Sequence, residues 1–452
     1  MATLRQDLET IILELIRLQA TPGPVRDPDD PFPFGRMISV GKGRVLHISR
    51  KMDVAIGVVA KRLYDADPAL ALNHRLGEWR SMTRRAFGPV LAGLDLSADL
   101  AANADAALVG VRATLARQAA GHPEQEFAFG CTVFADDARS LPSFGAVRFE
   151  RREDWLARKT AEGKLSPATG RRLTRTWNKL PVRRRKPSAD ASAERDIHNA
   201  IGTCPFVCSA MTRGLAPGAA RDKALMAARL ATLAIALTWT RPSGALKGLN
   251  LRFDRQSFVR YAVVFAGGHV GNSSDRDILH HAPWTEATEW EAQFASFAGI
   301  FRTVEEVLDY VLSPSGDVRR PNLMSTLTQA MTWFHEGCRE SSALVAVVKF
   351  AAALDALSCA GERDGICRLI TARVALHAQA PLWDEGPTLK QAVARIYGPG
   401  RSQTIHGTNR QHGHDWTEAQ DTAEQLGRLA LVTCLDWADE NRDCDDPKQL
   451  MT

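Results

Sequence analysis

The stretch with the clearest chemical content is Tyr397-Gly398-Pro399-Gly400-Arg401-Ser402-Gln403-Thr404-Ile405-His406-Gly407. It sets a permanently charged guanidinium and a titratable imidazole five residues apart. Arginine offers a planar donor fork that suits phosphate oxygens, and histidine is the side chain that exchanges a proton near neutral pH. A phosphodiester cleaved by its own ribose 2′-hydroxyl needs little more: one group to stabilise charge and one to move protons. The bland role for the same arginine is to anchor its loop to a carboxylate such as Asp355, and for the histidine to be a satisfied surface or capping residue near a helix start.

The elements around this stretch read as helices. Ala343 to Cys359, Ile366 to Ala378 and Thr388 to Ile396 precede it, and a long apolar helix over about Thr417 to Glu440 follows. Gly398-Pro399-Gly400 predicts a break, so Arg401 is expected on a loop. On an ideal helix, positions five apart diverge by about 140° and do not share a face. The last helix is apolar nearly all round, as a helix inside a dimer would be.

Tyr397, Arg401-Ser402 and His406-Gly407 resemble the Y-x-x-x-R-S-x-x-x-H-G signature of the ApeA-like branch of HEPN domains. The run Val348 to Ser358, with Asp355 before Ala356-Leu357, resembles that family's second helix. The resemblance covers roughly the last third of the chain. It implies a helical bundle that dimerises so that two Arg–His stretches face one cleft. It also implies metal-independent RNA cleavage, with 2′-hydroxyl attack and a 2′,3′-cyclic phosphate product. His406 then moves the proton and Arg401 clamps the phosphate, with Ser402, Tyr397 and Asp355 in support. Relatives act as toxins or in phage defence, which implies RNA as substrate, a homodimer, and a regulatory protein or phage-derived trigger as further partner. No cofactor is implied. A non-catalytic RNA- or nucleotide-binding dimerisation module is the alternative.

At 452 residues the chain exceeds one ordinary core. The predicted fold class is α+β and predominantly helical. A mixed α/β region over 1–285, as one subdomain or two, precedes an all-α bundle over 286–452. Leu4, Leu8, Ile11, Ile12, Leu15 and Ile16 recur at helical spacing, and prolines forbid regular structure from Thr21 to about Gly35. Residues 37–49 read as a β-hairpin, and 127–134, 146–149 and 257–266 as strands. From Trp290 to Val311, apolar residues at steps of three and four give a helix seam, of a kind more often core than partner surface. The segment Ser313 to Asp317 ends it.

The net charge of +5 is modest but unevenly spread. Between Arg148 and Lys186 lie fourteen basic and four acidic residues, interleaved with Trp155 and Trp177. Such a surface tracks a phosphate backbone and stacks bases. Arg171, Arg172, Arg175, Lys179, Arg183, Arg184, Arg185 and Lys186 are the candidate nucleic-acid contacts, within a flexible basic segment over about 148–195. The plainer reading is a helical hairpin with inward tryptophans. Pro187 to Ala193 has the composition of a mobile segment.

Eight cysteines without paired knuckle spacing read as reduced thiols of a cytoplasmic protein. Cys204-Pro205-Phe206-Val207-Cys208 lacks a second ligand pair, and His412, His414 and Asp415 make too few ligands for a closed site, so no metal is expected. The apolar run Ala224 to Trp239 is shorter than a bilayer requires and carries Arg229, so no membrane partner is expected either.

Overall fold

The computed structural model describes residues 3–20, 36–134, 140–254, 258–277, 286–313 and 318–452. The proline-rich stretch from Thr21 to Gly35 and nearly all of the Ser313 to Asp317 break lie outside the described residues. The architecture is α+β and predominantly helical. Contacts divide it chiefly into two units, Met1–Gln125 with Thr212–Lys223, and Glu126–Met211 with Ala224–Leu312 and Asp317–Thr452.

The first unit opens with α1 (Leu4–Ala20), which buries Leu8, Ile11, Ile12 and Leu15 at the spacing its sequence shows. An antiparallel hairpin follows, β1 (Arg36–Gly41) and β2 (Arg44–Ile48), then α2 (Arg50–Asp65), α3 (Pro68–Asn73), α4 (Leu76–Leu91) and α5 (Leu100–Ala120). Ser49 starts α2 by accepting the Met52 N–H at 3.1 Å. The same hydroxyl donates to Glu14 at 3.0 Å, and Arg17 and Lys51 neutralise that nearly buried carboxylate. A buried charge is tolerated there because each carboxylate oxygen has a donor.

The second unit begins with β3 (Gln125–Thr132), β4 (Ser143–Phe144) and β5 (Val147–Arg151), followed by α6 (Arg152–Ala161), α7 (Pro167–Trp177) and α8 (Ala189–Ile201). Next come β6 (Phe206–Thr212), α9 (Pro217–Ala236), whose residues through Lys223 belong to the first unit, α10 (Pro242–Gly248) and β7 (Asn250–Leu251). The five strands form one sheet in the order β4-β5-β6-β3-β7. A separate hairpin joins β8 (Phe258–Ala266) to β9 (His269–Asp277). Gly267 and Gly268 turn it with φ of +56° and +78°, the left-handed pair that a two-residue hairpin loop requires.

The remainder is helical: α11 (Ala287–Ser296), α12 (Ala298–Leu312), α13 (Pro321–Cys338), α14 (Ala343–Leu357), α15 (Glu362–Val374), α16 (Leu389–Arg395), a π-helical turn (Ile396–Ser402), α17 (Gln403–Ile405) and α18 (Thr417–Glu440). The seam from Trp290 to Val311 is interrupted at Phe297, between α11 and α12. Trp290, Phe301, Val304, Leu308 and Val311 are buried in one continuous core with sheet residues Cys131, Phe144 and Phe206 and with α13, α14 and α18. Helix α18 packs within its own chain against α12, α13, α14 and α15, with Leu429 left exposed. Among the described residues no single helix is long and apolar enough to cross a membrane; α14 and α15 together pass that test only as a pair bent by 70°.

Candidate active site

Asp355 lies near the end of α14, where Ser342 to Leu357 present an apolar face to the bundle. A tight turn follows. The Ala360 N–H donates to the Asp355 carbonyl at 2.9 Å, and the Glu362 N–H donates to its carboxylate at 3.3 Å as α15 starts. The side chain is therefore fixed from its own backbone neighbours before any partner from elsewhere arrives.

The partner arrives from the segment after α16. Thr388 and Gln391 form a reciprocal capping box at the start of that helix. The predicted break at Gly398-Pro399-Gly400 does not occur: the backbone stays wound through a π-helical turn and into α17. Proline has no N–H to contribute, and a wider turn, in which the Gln403 N–H reaches back to the Gly398 carbonyl, absorbs that loss. The Pro399 carbonyl accepts from Thr404 Oγ1 and Asn409 Nδ2, each at 3.0 Å. The glycines permit close approach. A Cβ on Gly400 would stand 2.7 Å from Val347 Cγ1, and one on Gly398 would stand 2.5 Å from Arg363 Nη2.

This winding aims Arg401 at Asp355. Its Nη2 lies 3.1 Å from Asp355 Oδ2, its Nη1 donates to the Tyr397 hydroxyl at 3.0 Å, and its guanidinium carbon sits 5.0 Å from the centre of the Tyr397 ring. Arg401 Nε is buried without a partner. Burial first, and the Asp355 charge second, push the Tyr397 phenol above its ordinary pKa, so it stays protonated. Asp355, Tyr397 and Arg401 thus form one polar cluster in the α14 bundle.

His406 is not part of that cluster. It follows the last turn of α17, its backbone N–H donates to the Ser402 carbonyl at 3.0 Å, and its imidazole is exposed without a hydrogen-bond or ion-pair partner among the described residues. Ser402 is half-buried, and its hydroxyl has no such partner either. The arrangement can hold a cation ready beside an exposed proton carrier. Within one chain it does not bring the two side chains into contact.

The basic segment divides by partner. Trp155 and Trp177 are buried, with Arg152 stacked on Trp177 at 4.6 Å. Arg158 bonds to Glu126, Glu150 and Glu162, and the nearly buried Lys159 ammonium to Glu126 and Glu162. Among the eight candidates, Arg172 is held by Glu194 at 2.7 Å, Arg185 by Asp190 at 2.5 Å, and Arg175 donates to the Pro181 carbonyl. Arg171, Lys179, Arg183, Arg184 and Lys186 are exposed and have no ion pair or side-chain hydrogen bond among the described residues. The mobile segment read at Pro187 to Ala193 is instead the start of α8, because Ser188 accepts the Ala191 N–H and nucleates it.

One feature escapes any local sequence pattern. A cavity of about 360 Å³ lies between α16 and α18, lined by Gln391, Ala392, Arg395, Ile396, Glu418 and Thr422. Arg395 lies over the Trp416 ring at 5.9 Å, though 21 positions separate the two in the chain. Among the described residues no group of three or more His, Cys, Asp and Glu side chains is placed to hold a metal ion. Comparison of the chain with protein-family models, curated proteins and solved structures finds no match.

Proposed function

We propose that the protein is a metal-independent endoribonuclease of the HEPN type, a cytoplasmic toxin or phage-defence effector that works as a homodimer. The observation that carries this reading is the Asp355–Tyr397–Arg401 cluster, on the residues of the signature, with His406 exposed one helical segment away. In the reaction, the ribose 2′-oxygen attacks the adjacent phosphorus while His406 accepts its proton. Arg401 stabilises the charge on the phosphoryl oxygens, the P–O5′ bond breaks, and the 5′-oxygen takes a proton as it leaves. A second copy would supply the residue that one chain holds apart. Arg171, Lys179, Arg183, Arg184 and Lys186 would track the RNA backbone.

A second reading is favoured by the Arg401–Asp355 ion pair, which engages the arginine internally: the bundle is then a non-catalytic RNA- or nucleotide-binding dimerisation module. Incubation with end-labelled RNA in EDTA separates the two. Fragments ending in a 2′,3′-cyclic phosphate, lost in His406→Ala, support the nuclease. RNA retention without fragments supports the module.

A further inference from the structure

His74 and His122 meet in the first unit, far along the chain from the segment discussed above. His74 ends the short helix α3 and His122 follows the last turn of α5, and their Nε2 atoms lie 3.3 Å apart. Two nitrogens at that separation make a long hydrogen bond at best. The spacing has another use. Two imidazoles bound to one tetrahedral ion at about 2.0–2.1 Å each stand about 3.3 Å apart.

The surroundings suit an occupant. His74 is 3% exposed, its ring packs edge-on against Trp79, and the Leu70 backbone is a further polar neighbour of its imidazole. His122 opens onto a cavity of about 620 Å³ lined also by Glu78, Ser81, Arg85 and Gln118, and Gln118 Oε1 is a buried acceptor with no donor. Glu78 is committed elsewhere, accepting the backbone N–H groups of Gly218 at 2.6 Å and Ala219 at 3.2 Å.

We infer that His74 and His122 form a two-histidine site for a late first-row divalent metal ion, with the cavity beside His122 supplying the remaining coordination positions from solvent or a small ligand. Imidazole pairs suit zinc, nickel and copper, while hard ions such as magnesium and calcium require oxygen donors. The site is independent of the Arg401 chemistry, which uses no metal.

The test uses the full chain, stripped with EDTA and exchanged into metal-free buffer, titrated with Zn²⁺ alone by calorimetry and with Cu²⁺ by electron paramagnetic resonance. The expected result is one ion per chain in the micromolar range, with nitrogen hyperfine structure from two imidazoles. His122→Gln should weaken Zn²⁺ binding at least tenfold and remove one nitrogen, while His412→Gln with His414→Gln leaves both readouts unchanged. His122 is partly exposed, so its variant is expected to fold, checked by circular dichroism; His74→Gln is the second variant. Wild-type protein that binds no Zn²⁺, or binding that His122→Gln and His74→Gln leave intact, overturns the assignment.

Discussion

The Asp355 carboxylate and the Arg401 guanidinium, 46 positions apart in the chain, meet at 3.1 Å with the Tyr397 hydroxyl closing the third side. The pair is mostly enclosed, and Arg401 Nε already lacks a partner, so neither charge is easily left alone. Asp355→Ala and Arg401→Ala should each destabilise the fold by about 1–3 kcal/mol, the penalty for stranding a partly buried polar group. The double variant should cost less than the two single losses added together. Urea unfolding of all four proteins measures this, and strict additivity would show that the two side chains do not interact.

His406 has no side-chain partner to lose. His406→Ala should leave stability within about 0.5 kcal/mol of the parent. On the nuclease reading, cleavage should fall by about 10²–10⁴-fold, the range that proton transfer contributes. A variant that cuts RNA at the parental rate sinks the assignment of this residue.

The basic segment predicts a split between two kinds of substitution. Replacing Arg183, Arg184 and Lys186 together by Ala should leave folding intact, weaken RNA binding and lower its salt dependence by a slope of about 2 on a log–log plot. Arg172→Ala should instead destabilise the protein, because it leaves the Glu194 carboxylate with only the longer contact to Arg185 at 3.5 Å. Filter binding at several salt concentrations, alongside thermal melts, distinguishes them. An unchanged salt slope in the triple variant removes these residues from the interface.

Burial alone would raise the pKa of Glu126, but the bonds from Arg158 and Lys159 outweigh it and hold the carboxyl below the usual range. Its folded state therefore binds a proton less readily than its unfolded state. The stability it contributes is present above the ordinary carboxylate value of about 4.5 and is lost as pH falls below it. Glu126→Gln should flatten the stability profile between about pH 5 and 3. Urea midpoints across that range report the difference, and parallel profiles for the two proteins would contradict it.

Local pattern carried much of the architecture. The apolar spacing of α1 and the hairpin at 36–48 are written in neighbouring residues, and the structure follows them. Gly398-Pro399-Gly400 misled because the breaking rule describes α-helices, and a π-helical turn tolerates a proline whose carbonyl finds side-chain donors. The Asp355–Arg401 pair was legible as an option, since a carboxylate on a neighbouring helix is the ordinary partner for a semi-enclosed guanidinium. The inward tryptophans of the basic segment were legible as its plainer reading, whereas the pairing of its cations with Glu126 and Glu194 was not, because those carboxylates lie outside the charge run they neutralise. The His74–His122 contact joins residues 48 positions apart with no motif around either.

The shared core of sheet and helices has a consequence for biosynthesis. Cys131 and Phe144 are among the earlier residues of that core to leave the ribosome, and Leu431 and Leu435 on α18 are among its last. The second unit therefore cannot complete its packing until α18 has been made. On the nuclease reading, that delay would keep the nascent chain inert beside the messenger and ribosome that are producing it.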